Sequence, residues 1–280
     1  MRTISCQEVT DAVAELCQRA NFHLAPDLVA ALRQARGSEE SPSGQAVLDE
    51  LLENARLAAE QAIPICQDTG MAVIFVELGQ EVHITGGSLA AAIHAGVARG
   101  YSEGCLRASV VGDPLLRVNT GNNTPAVIHF DVVPGDRLCL TVAPKGFGSE
   151  NMSAVRMLSP SEGIPGIRRF VLDTVSQAGP NPCPPVVIGL GIGGTLEKAA
   201  LLAKQALLRP VGSLNPLPHL AELEASLLAA VNRLGIGPAG LGGRVTALAL
   251  HIGSYPTHIA GLPVALNMGC HATRHAETIL

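Results

Sequence analysis

The chain has no tryptophan, and aromatic residues make up 2% of its 280 residues. A core without large rings must be filled by Ala, Val, Leu and Ile. Charge is scarce too: 15% of residues are charged, against roughly 25% in ordinary soluble domains. Hydrophobic residues reach 47%, which suggests that a partner covers some surface. The net charge is −5 with no basic block, so nucleic acid is not an expected partner. The opening MRTISCQEVTDAVAELC lacks the apolar core of a signal peptide. Residues 174–196 and 245–273 contain no Asp, Glu, Lys or Arg, but Gly, Pro and polar groups interrupt both, so no membrane span is expected. The seven cysteines are odd in number, irregular in spacing and never form a CxxC. That pattern speaks against disulfides, zinc ribbons and ferredoxin-type clusters, and a cytoplasmic protein is expected.

Periodicity predicts an α+β chain with a helical N-terminal part, 1–62, followed by a mixed α/β body, 63–280. Ala12, Val13, Leu16 and Cys17 share one helical face, and Val47, Leu48, Leu51 and Leu52 another. A strand is expected over 71–78, and a helix capped by Ser88 over 88–98. Strands at 126–133 and 137–143, joined by Pro134, Gly135 and Asp136, predict a β-hairpin. Ser-Pro-Ser-Glu at 159–162 announces a capped helix to about residue 176. A strand at 185–190, helices at 195–208 and 218–234, and strands at 244–252 and 262–268 complete the pattern.

Three cysteines sit in loop-like segments: Cys66 in CQDTG, Cys183 in NPCPP and Cys270 in NMGCHATRH. Prolines around Cys183 stiffen a loop that must hold a ligand. Three thiolates from separate loops suit an iron–sulfur cluster with one iron open to substrate. Spacing alone equally admits three ordinary buried cysteines, the reading preferred for Cys6, Cys17, Cys105 and Cys139. A structural zinc site of three cysteines and a histidine, in a non-catalytic protein, is a further possibility.

The segments PICQDTG, LRASVVGDP with RVNTGNNTPAVIHF, TVAPKGFGSENMS, NPCPPVVIGLGIGGT and YPTHIAGLPVALNMGCHATRH resemble class I, iron–sulfur fumarate hydratases. The likeness runs collinearly from about residue 40 to the end. Tartrate dehydratase α subunits share the cysteine pattern, while SVVGDP and GSENMS look like the fumarase branch. The resemblance implies a 4Fe–4S cluster on Cys66, Cys183 and Cys270, with the cluster site on loops. It also implies Asp68 as a catalytic acid–base group and Gln67, Arg107, Gly148 and His258 as substrate-binding residues. Fumarate and malate are the expected substrates, with tartrate or mesaconate as alternatives. A β subunit completing the site and a homodimer contact between α subunits are further implications.

Each of these residues has a plainer reading. Arg107 can be a surface charge with Asp113 as its partner, Asp68 can cap a turn, and His258 can be a buried histidine bonded to a carbonyl. His271, Arg274 and His275 can orient the loop of the third cysteine. Backbone N–H groups of the Lys145–Ser153 segment can cradle a carboxylate, although Phe147 stands where the resembled family has glycine. Gly189, Gly191 and Gly194 fit GxGxxG between a strand and a helix, which raises a nicotinamide-dinucleotide oxidoreductase as a remote alternative. Close strand–helix packing explains the same glycines, and the following helix N-terminus can also steady an anion.

Overall fold

The computed structural model describes residues 2–280. In chain order the elements are β1 (Arg2–Ser5), α1 (Cys6–Phe22), α2 (Pro26–Ser38), α3 (Pro42–Gln61), β2 (Met71–Gly79), β3 (Val82–Thr85), α4 (Leu89–Glu103), β4 (Val127–Val133), β5 (Leu138–Lys145) and α5 (Phe147–Glu150). There follow β6 (Ala154–Leu158), α6 (Gly163–Ala178), β7 (Val186–Gly193), α7 (Leu196–Ala206), α8 (Pro218–Asn232), β8 (Ala247–Tyr255), β9 (Leu262–Gly269) and β10 (Ala276–Ile279). The α+β class and the helical start hold, with β1 ahead of the first helix. The chain divides into two compact units: the chain up to Ala25 with Ala55–Phe147 and Arg274–Leu280, and Pro26–Asn54 with Gly148–Thr273.

In the first unit, Ser5 and Glu8 form a capping box that starts α1. Ser88 caps α4 as expected, and α4 runs on to Glu103. Helices α1 and α4 approach closely because Gly96 and Gly100 leave room. A Cβ at Gly100 would stand 2.6 Å from the Ala14 carbonyl oxygen. Their apolar faces, with Val13, Leu16, Cys17, Ile93 and Val97, join Ile74, Leu138, Leu140 and Val142 in one core. The sheet order is β10-β5-β2-β4. Burial pushes the Cys17 thiol up to about 12, as befits a core residue. Cys6 and Cys139 are half-buried, but Cys105 is exposed, so core packing fails for Cys105.

The expected β-hairpin does not form. β4 and β5 both exist, but β2 lies between them, parallel to β4 and antiparallel to β5. The Pro134–Asp136 turn crosses the end of β2, and Gly79, Gln80 and Glu81 donate to the carbonyls of Arg137, Val133 and Gly135. A Cβ at Gly79 would meet the Gly135 oxygen at 2.4 Å. The turn signal was local. The apolar β2 took the central place and satisfied both neighbours' ladders.

The second unit holds the sheet β6-β9-β7-β8. Ile188 and Leu190 of β7 point into a core with Phe170 and Val171 of α6 and Leu227 and Val231 of α8. Gly189 and Gly191 point the other way. A Cβ on either would stand 2.0 Å from an α7 carbonyl oxygen, Ala203 for the first and Ala199 for the second. These glycines therefore serve close helix–strand packing, and the start of α7 is taken by Glu197, which accepts from the Thr195 hydroxyl at 2.6 Å. The Ser159–Glu162 capping box is present ahead of α6.

Glu39, 2% exposed, ties the turn between α2 and α3 to the irregular segment leading into β8. Its carboxylate accepts from the N–H groups of Glu40, Ser41, Arg244 and Val245. Burial alone would raise its pKa, but these donors outweigh it and hold the group below the usual carboxylate range. The stability this gives is present above the unfolded value of about 4.3 and lost as pH falls through the lower folded value. Denaturation of the parent and Glu39→Gln should therefore differ most near neutrality and converge at acid pH. Gly191→Ala should cost about 1–3 kcal/mol by overpacking against α7, read as a lowered thermal midpoint; an unchanged midpoint would contradict the packing described.

Candidate active site

In the first unit the CQDTG segment is a loop between α3 and β2, and interior side chains hold its backbone. The Tyr101 hydroxyl lies 2.8 Å from the Thr69 carbonyl oxygen and 3.1 Å from that of Gly70. Asn123, fully buried, donates to the Gly70 oxygen at 3.1 Å while its own oxygen accepts from Ser109 N–H. The Arg274 guanidinium, 5% exposed, donates to the Asp68 carbonyl at 2.7 Å and to the Asn21 amide oxygen at 3.1 Å. Asn21 in turn accepts from Ile65 N–H, just ahead of Cys66. Gly70 adopts φ +77°, and a Cβ there would meet the Lys145 nitrogen at 2.7 Å. The burial of Tyr101 pushes its phenol far above the ordinary range, so its proton stays available for donation.

Asp68 does cap a turn: one oxygen accepts from Gly70 N–H at 3.0 Å. The other accepts from Phe147 N–H at 2.8 Å, which pins the glycine loop to it. Phe147 itself is 48% exposed, so its ring lies outward rather than filling the loop. Thr69 donates to the Arg107 carbonyl at 3.1 Å, bringing Arg107 beside Gln67 and Asp68. The Arg107 and Gln67 side chains are exposed. Asp113 is not the partner of Arg107; its carboxylate accepts from Leu115 and Leu116 N–H groups.

In the second unit Cys183 and Cys270 come from neighbouring loops. Cys183 is exposed with φ +57°, a conformation that residues with a side chain seldom adopt. The His271 backbone N–H and ring Nδ1 lie 3.2 and 3.1 Å from the Cys183 carbonyl oxygen, so the ring donates from Nδ1. Thr273 closes the other loop by donating its N–H and hydroxyl to the Cys270 carbonyl. Gly148 lies at the same end, where a Cβ would stand 3.6 Å from the Asn181 oxygen. Glu150 fastens this stretch to β9, accepting from Asn267 at 2.9 Å and from Lys204 on α7 at 2.5 Å. His258 is not with them. It lies beyond the far end of β8, exposed, with Nδ1 accepting from Ala260 N–H at 3.2 Å.

A profile described as fumarate hydratase (fumerase) matches residues 10–279. The chain belongs to this family. A putative L(+)-tartrate dehydratase subunit alpha of Methanocaldococcus jannaschii is 42% identical over 275 residues, covering 96% of both chains. The L(+)-tartrate dehydratase subunit alpha of Escherichia coli K12 is 34% identical over 277 residues, 98% of this chain and 91% of that one. Fumarate hydration and tartrate dehydration are both hydro-lyase reactions, and this fumerase-family chain is a hydro-lyase subunit.

The donor chemistry fits an iron–sulfur group. Cys66, Cys183 and Cys270 lie on loops, are half-buried or exposed, and none of the seven cysteines, all described, is in a disulfide. Among the described residues no three His, Cys, Asp or Glu side chains stand together as a metal-holding group; Cys66 belongs to one unit and the other two to the second. Asn21, Tyr101, Asn123 and Glu150 had escaped sequence reasoning. Only Asn123, in the turn-rich GNNTP stretch, carried a local signal. Asn123→Ala leaves buried groups without partners and should cost about 1–3 kcal/mol, whereas exposed Asn122→Ala should cost far less; equal thermal midpoints for the two variants would contradict the clamp.

Proposed function

We propose that this chain is the α subunit of an iron–sulfur hydro-lyase acting on a four-carbon dicarboxylate. The observation that carries the reading is the pairing of the Cys183 and Cys270 loops through His271, in a chain of the fumerase family. Cys66, Cys183 and Cys270 would hold a 4Fe–4S cluster, which when bound supplies an iron with an open position that acts as a Lewis acid. Arg107, exposed beside the CQDTG loop, offers its planar fork to a substrate carboxylate. Gln67 adds an amide donor and acceptor next to it. Asp68 spends one lone pair of each oxygen on Gly70 and Phe147 N–H groups, and the remaining pairs let it take a proton from the substrate carbon. Gly148 presents open backbone at the cysteine end, and His258 donates from Nε2 because Nδ1 is already an acceptor.

The relatives named subunit alpha support a β subunit; in this proposal it completes the acid–base machinery and adds cationic substrate ligands. No described helix is long and apolar enough to cross a membrane; a cytoplasmic enzyme is part of the proposal. Fumarate–malate interconversion remains the first substrate reading, from the SVVGDP and GSENMS segments. Tartrate dehydration is a second, favoured by the names of the relatives.

Anaerobic reconstitution should yield about four irons and four acid-labile sulfides per chain, and Cys183→Ser should lose them. Zinc in place of iron would sink the cluster reading. With its β subunit the enzyme should turn over fumarate, malate, tartrate or mesaconate in a direct panel. The single chain should be inactive or nearly so, and substantial turnover by it would contradict the need for a partner.

A further inference from the structure

Cys183 sits in a loop with little means of holding itself. Prolines occupy positions 180, 182, 184 and 185, so within 180–185 only Asn181 and Cys183 carry a backbone N–H. Both N–H groups are spent locally, on the carbonyls of Ala178 and Pro180. Anchorage from outside then has to come through the loop's carbonyls. His271 donates to that of Cys183. The Pro184 carbonyl accepts from Ala239 N–H at 2.8 Å.

Ala239 lies in the tight turn at 237–243, between α8 and β8. Gly237, Ala239, Gly240, Gly242 and Gly243 all have positive φ, so the turn needs its surroundings to enforce it. On one side it presses on the cysteine loop: a Cβ at Gly240 would stand 2.4 Å from the Pro180 Cβ. Its other end is gripped by Glu39. That carboxylate accepts from Arg244 N–H at 2.8 and 3.0 Å and from Val245 N–H at 2.8 Å. A Cβ at Gly243 would meet its Oε1 at 2.7 Å. The same carboxylate accepts from Glu40 and Ser41 N–H groups just ahead of α3. In the first turn of α3, a Cβ at Gly44 would stand 2.9 Å from Glu39 Cγ and 3.3 Å from Pro238 Cδ. The 237–243 turn is thus clamped between the start of α3 and the cysteine loop, with Glu39 as the clasp.

We propose that Glu39 is a positioning residue for Cys183, acting through the 237–243 turn. Its charge-assisted bonds fix residues 244 and 245, and these fix the turn. Ala239 N–H and the Gly240 contact then hold the 180–185 loop in the conformation that presents Cys183. The proposal rests on the hydro-lyase reading, because it takes Cys183 as a cluster ligand. A thiolate on a loosened loop gives up its iron sooner, so the effect falls on cluster retention as well as on stability.

The test uses the full chain, co-expressed with its β subunit and reconstituted anaerobically. The readout is the rate of iron release to a chelator, well below the unfolding temperature. Glu39→Gln keeps the shape but turns one oxygen into an amide NH2 group facing backbone donors. Gly240→Ala pushes directly on Pro180. Each should release iron ~10–100-fold faster than the parent, the range for groups that orient metal ligands. Deuterium exchange over 180–186 should quicken in both. Leu227→Ala, in the core between α6 and α8, is the control for stability alone. It should lower the thermal midpoint and leave iron release at the parent rate. Parent-rate release from Glu39→Gln, or equal acceleration in Leu227→Ala, would overturn the proposal. If one of the two positioning variants fails to fold, the other decides. A parent that binds no iron, or a Cys183→Ser variant that keeps it, defeats the cluster reading itself, and that outcome shows without any change at Glu39.

Discussion

In the first unit the CQDTG loop depends on donors that hold its carbonyls. CQDTG lies between a helix and a strand, so its carbonyls have no ladder of their own. Buried and unpaired, each would cost on the order of 1–3 kcal/mol. Tyr101, Asn123 and Arg274 reach them from three separate elements. Because the helices that carry Asn21 and Tyr101 also build the apolar core, the loop inherits the rigidity of that core. Cys66, Gln67 and Asp68 are thereby set on a stiff backbone.

The second unit achieves stiffness differently. Its cysteine loops, one ahead of β7 and one after β9, lie at one end of a sheet packed by helices on both faces. Gly189 and Gly191 let α7 lie so close that its carbonyls occupy the space of a side chain. Closeness on that face and a full apolar core on the other make the sheet a rigid spacer. It holds Cys183 and Cys270 together at one end and keeps His258 away at the other. Two of the glycines that imitate a dinucleotide fingerprint, Gly189 and Gly191, are the ones that bring α7 so close.

The scarcity of charge takes on meaning in this frame. Several of the few charged side chains that are buried fasten backbone rather than face solvent. Glu39 gathers four N–H groups, and Glu224 accepts from Arg209, Asn215 and Ile252 N–H. Arg274 holds the loop that carries the first cysteine. Such groups are worth keeping in an apolar interior only when fully hydrogen-bonded, and then they specify one arrangement of the chain.

The sequence by itself determined the class of the fold, most of the long elements and the residue types that carry the chemistry. Apolar periodicity, caps at Ser88 and Ser159, and three loop cysteines are local signals, and local signals survive without coordinates. Only the tertiary structure decided the partners. The Pro-Gly-Asp turn is real, yet its strands pair with β2 because hydrogen-bond ladders form wherever the most apolar strand settles. Tyr101 carried no local signal, and Arg274, expected to orient the third cysteine's loop, holds the first one's instead, because a buried donor answers a carbonyl far away in the chain. Strand register, which no stretch of sequence states, separated His258 from Cys270, its near neighbour in the chain.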